Sequence, residues 1–374
     1  APFHMTGSFL TFAPLALKDK IAIARAFYSI LHHGGHPPDA EQPGGISMLE
    51  WLHRHKQTPA AISRFWRVVL VSALSEELER IDARYGIDVF WKAVLSNKTG
   101  YRMGVPTVAL GDLYEGCRAA IQQKGGEVIF RSPLRGLRIE NGKLAAVLFD
   151  QDREETADAF VLAVPHQTLS DLLPESLKRS DTALGNLDKI VDAPITGVHL
   201  WFDRQVMTEP FITLLDTTTQ WIFNKSALYA GANGASAEAA ADKGQYLQLV
   251  ISASHDLLQK PRQEIIDLCL KEVRHALPAA REANLLKATV IKEAAATFSP
   301  QPGVDRWRPI QETSIGAMFL AGDWTATGWP ATMEGAVRSG YLAAEVVLRA
   351  AGTPKQFIQP DLKPDGLAGL WAKS

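Results

Sequence analysis

The chain has 374 residues, of which 46 % are hydrophobic and 21 % are charged, and its formal net charge at pH 7 is −2. This length predicts two or three globular domains around a substantial core. The nearly balanced charge gives no electrostatic basis for a nucleic-acid partner.

The first hundred residues are predicted to be helical, because apolar side chains recur at helical spacing over 15–31 and again over 51–70. Five of the ten histidines lie between His32 and His55, around a loop rich in glycine and proline. We expect no metal there, because no cysteine is nearby and His53 and His55 would lie on different faces of a helix.

Residues 110–165 predict a helix followed by strands. Asp112 is expected to cap a helix that runs to Lys124 and ends at Gly125-Gly126. Asn141-Gly142 between apolar runs is typical of a tight hairpin. The predicted strands are 127–130, 134–139, 144–149 and 159–164, the last three forming a meander that ends at Pro165.

The segment 167–294 changes character, with alternating or apolar strands and one amphipathic helix. An alanine- and glycine-rich stretch, 230–244, is predicted to be a loop. The predicted strands are 196–202, 211–215, 220–223 and 246–251, and the helix covers 265–273.

The most informative pattern follows residue 317. A short apolar strand, 318–320, runs into Gly322-Asp323, and after a loop a helix begins near Met333 with small residues in its first turns. A glycine permits close approach of a ligand, an aspartate accepts hydrogen bonds from sugar hydroxyls, and a helix N-terminus favours phosphate. The pattern predicts a phosphate-bearing cofactor; the alternative is an ordinary α/β unit with a tight turn.

Ala321-Gly322-Asp323, followed by Met333-Glu334-Gly335-Ala336 and Ser339-Gly340, resembles the C-terminal FAD signature of the flavin amine oxidase and phytoene desaturase superfamily. The longer string 322–336 most resembles its squalene-associated branch, the hydroxysqualene dehydroxylases.

This resemblance implies an α/β fold, with a glutathione-reductase-like FAD-binding domain interleaved with a mixed-sheet and helical substrate domain. The implied FAD-domain segments are 110–166 and 295–352, the substrate-domain segments are 1–109 and 167–294, and 353–374 is a tail. The residues implied to bind FAD are Leu134, Gly322, Asp323, Met333, Glu334, Gly335 and Ala336.

The superfamily opens with a strand, a G-x-G-x-x-G fingerprint and a helix that hold the FAD pyrophosphate. This chain begins Ala1-Pro2-Phe3-His4, and that fingerprint occurs nowhere in it. We therefore expect the chain to be a fragment without the first Rossmann βαβ unit, and to be inactive alone; the alternative is a natural variant that has lost the unit.

For the reaction, the resemblance implies reductive dehydroxylation of hydroxysqualene to squalene in hopanoid biosynthesis. The alternatives are a carotenoid desaturase of the phytoene type, a flavin amine oxidase, and a degenerate fragment without FAD that acts as a binding module. Amine oxidases typically have an aromatic residue where Thr332 stands, which argues against that activity. Thr327, Trp329 and Thr332 are candidate substrate contacts, and no residue can be named as the catalytic acid.

A long isoprenoid is nearly insoluble, yet no apolar run approaches the ~18 residues that span a bilayer. We therefore expect a cytoplasmic protein with peripheral membrane contact through 9–15 or 367–373, although the first segment could be buried and the second frayed. Cys117 and Cys269 lie in apolar helical contexts and are predicted to be buried thiols, as suits a reducing compartment.

Overall fold

A computed structural model describes residues 1, 3–232 and 244–371. The helices are α1 (Thr6–Thr11), α2 (Leu17–His32), α3 (Met48–Arg54), α4 (Pro59–Ala61), α5 (Arg67–Leu74), α6 (Ala83–Phe90), α7 (Leu110–Leu113), α8 (Glu115–Gln123), α9 (His166–Leu172), α10 (Glu175–Ser180), α11 (Lys225–Ala232), α12 (Arg262–Ala276), α13 (Met333–Ala350) and α14 (Ala368–Trp371). The strands are β1 (Leu134–Glu140), β2 (Lys143–Phe149), β3 (Glu154–Thr156), β4 (Phe160–Leu162), β5 (Asp192–Phe202), β6 (Phe211–Thr213), β7 (Trp221–Asn224), β8 (Gln245–Ser252), β9 (Leu285–Phe298) and β10 (Met318–Leu320).

Helices α2 to α6 form a helical unit, as the periodicity predicts. Its centre is aromatic: Trp51, Trp66 and Phe90 are almost completely buried, and the rings of Trp66 and Phe90 meet edge to face with centroids 4.6 Å apart. π-helical turns at Ile62–Trp66 and Trp91–Leu95 extend α4 and α6. Burial of such large rings, worth roughly 1.5–3 kcal/mol for a Phe-sized side chain, accounts for the stability of this unit.

The predicted Asn-Gly hairpin is confirmed. Asn141 and Gly142 have φ of 51° and 75°, as a type I′ turn requires, and Glu140 pairs with Lys143 across it. The third strand of the meander is β3, however, not 159–164 as predicted. That segment forms β4, which leaves the meander to pair with β10, because its apolar residues Phe160 and Leu162 are buried there.

The parallel pair β4–β10 joins two segments that are far apart in the sequence. Phe160 faces Met318 and Leu162 faces Leu320, so a segment before the five-stranded sheet pairs with one that follows it. The carboxyl ends of both strands therefore lie at the same edge, where Gly322 and Asp323 begin the next loop.

Three other local predictions are wrong. Asp112 does not cap a helix to Lys124, because it lies inside α7, and a separate helix, α8, follows. Residues 127–130 are not a strand, since no described strand pairs with them. Cys269 is buried, but Cys117 is exposed, because no residue of α8 is buried.

The five-stranded sheet has the order β6-β7-β8-β5-β9 and is antiparallel. One face packs against α12, with Leu200 and Leu249 fully buried on the sheet and Cys269 fully buried on the helix. The other face is half-buried and bears His199, Trp201, Phe211, Trp221, Phe223 and Tyr246. Strand β9 runs across the expected boundary at 294/295, so this sheet extends to Phe298.

The C-terminal tail is docked rather than frayed as far as the structure describes it. Ala368 is fully buried and the ring of Trp371 meets that of His32, although Leu370 is exposed. Most of the predicted 230–244 loop and the end of 367–373 lie outside the described residues. Among those described, no helix combines the length and apolar character needed to cross a membrane.

Candidate functional site

The site begins where β10 ends. Trp324 is buried beneath this edge, and its indole Nε1 donates a hydrogen bond to the carbonyl oxygen of Val164 at 3.1 Å. This bond joins the loop that follows β10 to the segment that follows β4. Ligands of open α/β sheets bind outside the carboxyl ends of parallel strands, which is where this loop lies.

Gly322 is required by the local geometry. Its φ of +137° is unfavourable for any residue with a side chain, and a Cβ there would lie 2.4 Å from Nε1 of Trp324. The N–H of Gly322 donates to Oγ of Ser339 at 2.7 Å, and this hydroxyl donates to the carbonyl oxygen of Ala336. Ser339 thus holds the start of the loop against helix α13.

Helix α13 begins with a capped N-terminus. Thr332 is the N-cap, and its Oγ1 accepts a hydrogen bond from the N–H of Gly335 at 3.0 Å. A Cβ on Gly335 would approach the carbonyl oxygen of Pro330 to 2.7 Å, so glycine permits the tight entry into the helix. Gly335, Ser339 and Ala343 are buried at intervals of four, which makes them the face that packs on the sheet.

The other predicted residues of this helix face outward. Met333 is exposed, and Glu334 forms an ion pair with Arg338 at 3.1 Å, one turn along the helix. This i,i+4 pair and the favourable position of a carboxylate in the first helical turn give Glu334 a structural role.

Asp323 is partly buried beside this N-terminus. Burial raises the pKa of its carboxyl, and the backbone N–H of Trp324, the guanidinium of Arg308 and the nearby His166 oppose that rise. The carboxylate is thus held by its own loop and can accept further hydrogen bonds from a ligand's hydroxyl groups.

Arg308 lies beneath the loop, and sequence reasoning missed it. Its guanidinium is almost completely buried and lies within hydrogen-bond distance of four backbone carbonyl oxygens. These belong to Asp323, Trp324, Thr325 and Trp329. The available signal was a single arginine in the otherwise apolar run Trp307-Arg308-Pro309-Ile310.

Trp329 is fixed by charged groups around its ring. Its Nε1 donates to Asp361 of the C-terminal tail at 3.3 Å, and the ammonium of Lys92 lies 4.6 Å from the ring centroid. The guanidinium of Arg338 lies 5.4 Å from the same centroid and pairs with Asp361. Cation–π contacts of this kind hold an aromatic ring in one orientation.

A cavity of about 620 Å³ adjoins the loop at Ala326 and Gly328. Helix α6 and the residue after it contribute Tyr85, Asp88 and Trp91 to its wall. Burial raises the pKa of Asp88, and the ammonium of Lys92, 2.7 Å from its carboxylate, opposes that rise.

Thr327 and Leu134 are placed differently from one another. The hydroxyl of Thr327 accepts a hydrogen bond from the N–H of Trp329, within the same loop. Leu134 begins β1 and pairs with Phe149, whereas Gly322 follows β10. The other predicted residues lie in the loop after β10 and the first turn of α13, and the ligand contacts of all the predicted residues, Leu134 included, stay a prediction.

The histidines of the N-terminal region are engaged in local contacts. His55 Nε2 lies 2.7 Å from the carboxylate of Asp39, and its ring stacks on Trp51. Across 1, 3–232 and 244–371, no group of three or more His, Cys, Asp or Glu side chains could hold a metal ion.

The residues present fit a flavin dinucleotide. Gly322 and Gly335 give the loop and the helix entry their shape, since a Cβ there would meet Trp324 and Pro330, and Asp323 offers a carboxylate for ribityl hydroxyls. In the first turn of α13 Thr332 caps the N–H of Gly335, and the backbone N–H groups of Met333 and Glu334 can donate to an electron-rich group. Met333 and Glu334 leave that turn open to a ligand, since their side chains point away from the sheet.

Comparison with known proteins finds carotenoid desaturases among the relatives of this chain. The chain is 28 % identical over 325 residues to the 15-cis-phytoene desaturase of Solanum lycopersicum, a match that covers 83 % of this chain and 53 % of the tomato protein. It is 24 % identical over 372 residues to the zeta-carotene desaturase of a Synechocystis strain, covering 93 % and 76 %. The chain spans about half the length of the plant desaturases that it matches.

Solved structures share the fold. An oxidoreductase from Methanosarcina mazei aligns with a TM-score of 0.66 at 17 % identity, covering 91 % of this chain and 74 % of that one. Cyclohexylamine oxidase from Brevibacterium oxydans aligns with a TM-score of 0.61 at 14 % identity, covering 92 % and 76 %. At such low identity these likenesses concern the fold alone.

The family model described as flavin containing amine oxidoreductase matches residues 7–348, which is most of the chain. This match agrees with the strand, Gly-Asp loop and capped helix described above. The protein therefore belongs to the flavin-containing amine oxidoreductase family, and the FAD predicted from the sequence is confirmed as its cofactor.

Proposed function

We propose that the complete protein is an FAD-dependent oxidoreductase that acts on a long isoprenoid. Bound at the edge after β10, the flavin supplies hydride transfer to or from a substrate carbon. Asp323 would bind the ribityl hydroxyl groups, and the first turn of α13 would contribute backbone N–H donors to the flavin. Trp329 and Thr327 would contribute to the wall on the substrate side.

The observation that carries the substrate class is the identity of the relatives, since the tomato and Synechocystis proteins are carotenoid desaturases. The half-buried aromatic face of the five-stranded sheet supports an apolar substrate. On it the rings of Trp201 and Tyr246 stack with centroids 4.7 Å apart. Thr332 supports the same choice over an amine, because its hydroxyl caps α13 and no aromatic ring stands there.

Two reactions on an isoprenoid are consistent with this site. Desaturation removes a hydride and a proton from adjacent carbons, and it has the wider support because the matched relatives are desaturases. Reductive dehydroxylation of hydroxysqualene to squalene is supported by the loop and helix string 322–336. It needs a group that protonates the departing hydroxyl, and Asp88 is the candidate, because it lines the cavity beside Gly328.

The two reactions are separated by running both on full-length, FAD-loaded protein. Oxidised protein is incubated with phytoene, and reduced protein with hydroxysqualene, without oxygen in both cases. Desaturated carotenoid in the first incubation supports desaturation, and squalene in the second supports dehydroxylation. An Asp88→Asn variant that retains flavin should lose squalene formation by at least tenfold if Asp88 is the acid. A third incubation, of oxidised protein with an amine in air, tests amine oxidation, in which oxygen takes up the electrons as peroxide. Peroxide release there, with neither isoprenoid product in the first two incubations, would reject both.

We also propose peripheral contact with a membrane, since an isoprenoid must be collected from one. Leu10 and Leu370 are exposed in the two predicted segments, whereas Phe9 and Phe12 pack partly against the helical core. Liposome flotation of the full-length protein and of a variant shortened after Thr353 tests this contact. No flotation of either protein rejects the proposal, and equal flotation excludes the tail as the anchor.

A further inference from the structure

Arg308 is a buried cation with an unusual set of partners. Its side chain is 1 % exposed, and its one carboxylate partner, Asp305, lies on the surface at 3.1 Å. Its other acceptors are mostly backbone carbonyl oxygens of the loop after β10. Nη2 is 3.0 Å from the oxygen of Asp323 and 2.9 Å from that of Trp329, and Nε is 3.3 Å from that of Trp324. Hydrogen bonds from a charged donor are about twice as strong as neutral ones.

These contacts determine the shape of the loop. The carbonyl oxygens of residues 323 and 329 converge on one guanidinium, so the loop must curve around it. A peptide carbonyl and the N–H of the same peptide unit point in opposite directions. When Arg308 fixes the carbonyl of Asp323, it therefore also fixes the direction of the N–H of Trp324, which favours the ionised form of the Asp323 carboxyl.

Arg308 also acts on Asp323 through its charge. Burial disfavours the ionised carboxyl, and the nearby guanidinium opposes that effect. With a neutral residue in place of Arg308, burial would raise the pKa of Asp323 further, because the opposing charge is gone. The ionised carboxylate, which accepts hydrogen bonds from a ligand, would then be present over a narrower pH range.

The guanidinium is itself held by the helical unit. Its Nη1 donates to the hydroxyl of Tyr85 on α6, and that hydroxyl donates to Asp305 at 2.5 Å. Tyr85 of α6 therefore orients the guanidinium of Arg308, and this guanidinium in turn holds the loop 323–329.

We propose that Arg308 is a positioning residue of the flavin site, which shapes the loop 323–329 and orients the carboxylate of Asp323 toward the flavin. This role rests on the flavin cofactor and is independent of the substrate proposed above. Tyr85 transmits the position of α6 to the same loop through Arg308.

The test uses the full-length protein with FAD alone and three variants. Arg308→Lys keeps the charge but loses the planar fork, and Tyr85→Phe removes the hydroxyl that holds the guanidinium. Arg84→Gln is the matched control, because Arg84 also pairs with Asp305, at 3.2 Å, but within the described part of the chain its hydrogen bonds go to Asp82 and Asp305 and not to the loop 323–329. The readouts are hydrogen–deuterium exchange of the peptide 322–332, the FAD dissociation constant as a function of pH, and the flavin midpoint potential.

We expect Arg308→Lys to speed exchange of the loop at least tenfold and to weaken FAD binding at least tenfold. The pH below which binding is lost should stay near the parental value, because lysine keeps the charge beside Asp323, while the midpoint potential should shift; Arg84→Gln should stay within twofold of the parent in all readouts. A folded Arg308→Lys protein with parental loop exchange and parental FAD affinity would overturn the proposal. If Arg308→Lys does not fold, Tyr85→Phe decides: a threefold or greater increase in loop exchange supports the role, and parental exchange overturns it.

Discussion

The hydroxyl of Thr332 accepts a hydrogen bond from the backbone N–H of Gly335, 3.0 Å away, and so closes the first turn of α13, which follows the loop after β10. Thr332→Ala should lower the free energy of unfolding by about 1 kcal/mol, because the helix loses its N-cap. Thr332→Ser keeps the hydroxyl and should match the parent. Urea unfolding of the three proteins measures this difference. A raised KM in Thr332→Ala with parental stability would instead indicate that Thr332 contacts the substrate.

Two glycines of the same region should respond to alanine in opposite ways. Gly322→Ala should destabilise the protein by at least about 2 kcal/mol, because φ is +137° and the new Cβ meets the Trp324 indole. Gly340→Ala should stabilise it by roughly 0.5–1 kcal/mol, because Gly340 lies inside α13 with open space around a Cβ. Thermal unfolding of both variants compares them. A Gly322→Ala variant as stable as Gly340→Ala would contradict the strain that the loop geometry implies at residue 322.

Asp323 should make the apoprotein less stable as the pH rises. Burial raises the pKa of this carboxyl above its unfolded value, so the folded state binds the proton more tightly than the unfolded chain does. The stability that protonation provides is complete below the unfolded pKa of about 3.9 and is lost as the pH rises through the folded value. Asp323→Asn should therefore be more stable than the parent at pH 7 but bind FAD more weakly. Melting temperatures at pH 4 and pH 7 measure the first effect; a variant less stable than the parent at pH 7 would contradict it.

A buried carboxylate links the helical unit to the five-stranded sheet. Glu76 is fully buried and accepts hydrogen bonds from Ser299 at 2.6 Å and from His255 at 3.0 Å, and it pairs with Arg80. Glu76→Gln should lower the free energy of unfolding by roughly 2–4 kcal/mol, because it leaves these partners without their charged acceptor. The control is Glu79→Gln on the exposed surface nearby, which should change stability by less than about 0.5 kcal/mol. Similar losses for both variants would argue against the role of Glu76.

The parts of the fold that the sequence predicts correctly are those decided by neighbours along the chain. Asn141 and Gly142 determine their hairpin locally, since both residues adopt the positive φ that its turn requires. The segment 159–164 is a strand as predicted, but its partner β10 is remote in the sequence. Hydrophobic patterning reveals that a strand is buried, not which distant strand it pairs with.

In the candidate site, too, the sequence predicts the features that neighbouring residues determine and not those that depend on distant segments. The string from Gly322 to Ser339 predicts the loop and the helix, because glycine, capping and small residues each have a local physical reason to be there. Arg308 could not be predicted in the same way. Its role depends on four backbone carbonyl oxygens that converge only when the loop has folded. Every residue has such an oxygen, so the amino-acid sequence does not indicate which of them bind Arg308.

The pairing of β4 with β10 has a consequence for the order in which the protein matures. The hairpin β1–β2 closes over a two-residue turn, and the sheet from β5 to β9 is drawn from one continuous stretch of chain, whereas β4 and β10 come from opposite sides of that stretch. Contacts between distant segments form slowly, because a long loop must close before they are made. The β4–β10 edge is therefore expected to assemble late, after β10 and α13 have left the ribosome. A ligand that binds only the assembled edge would stabilise this late contact by mass action.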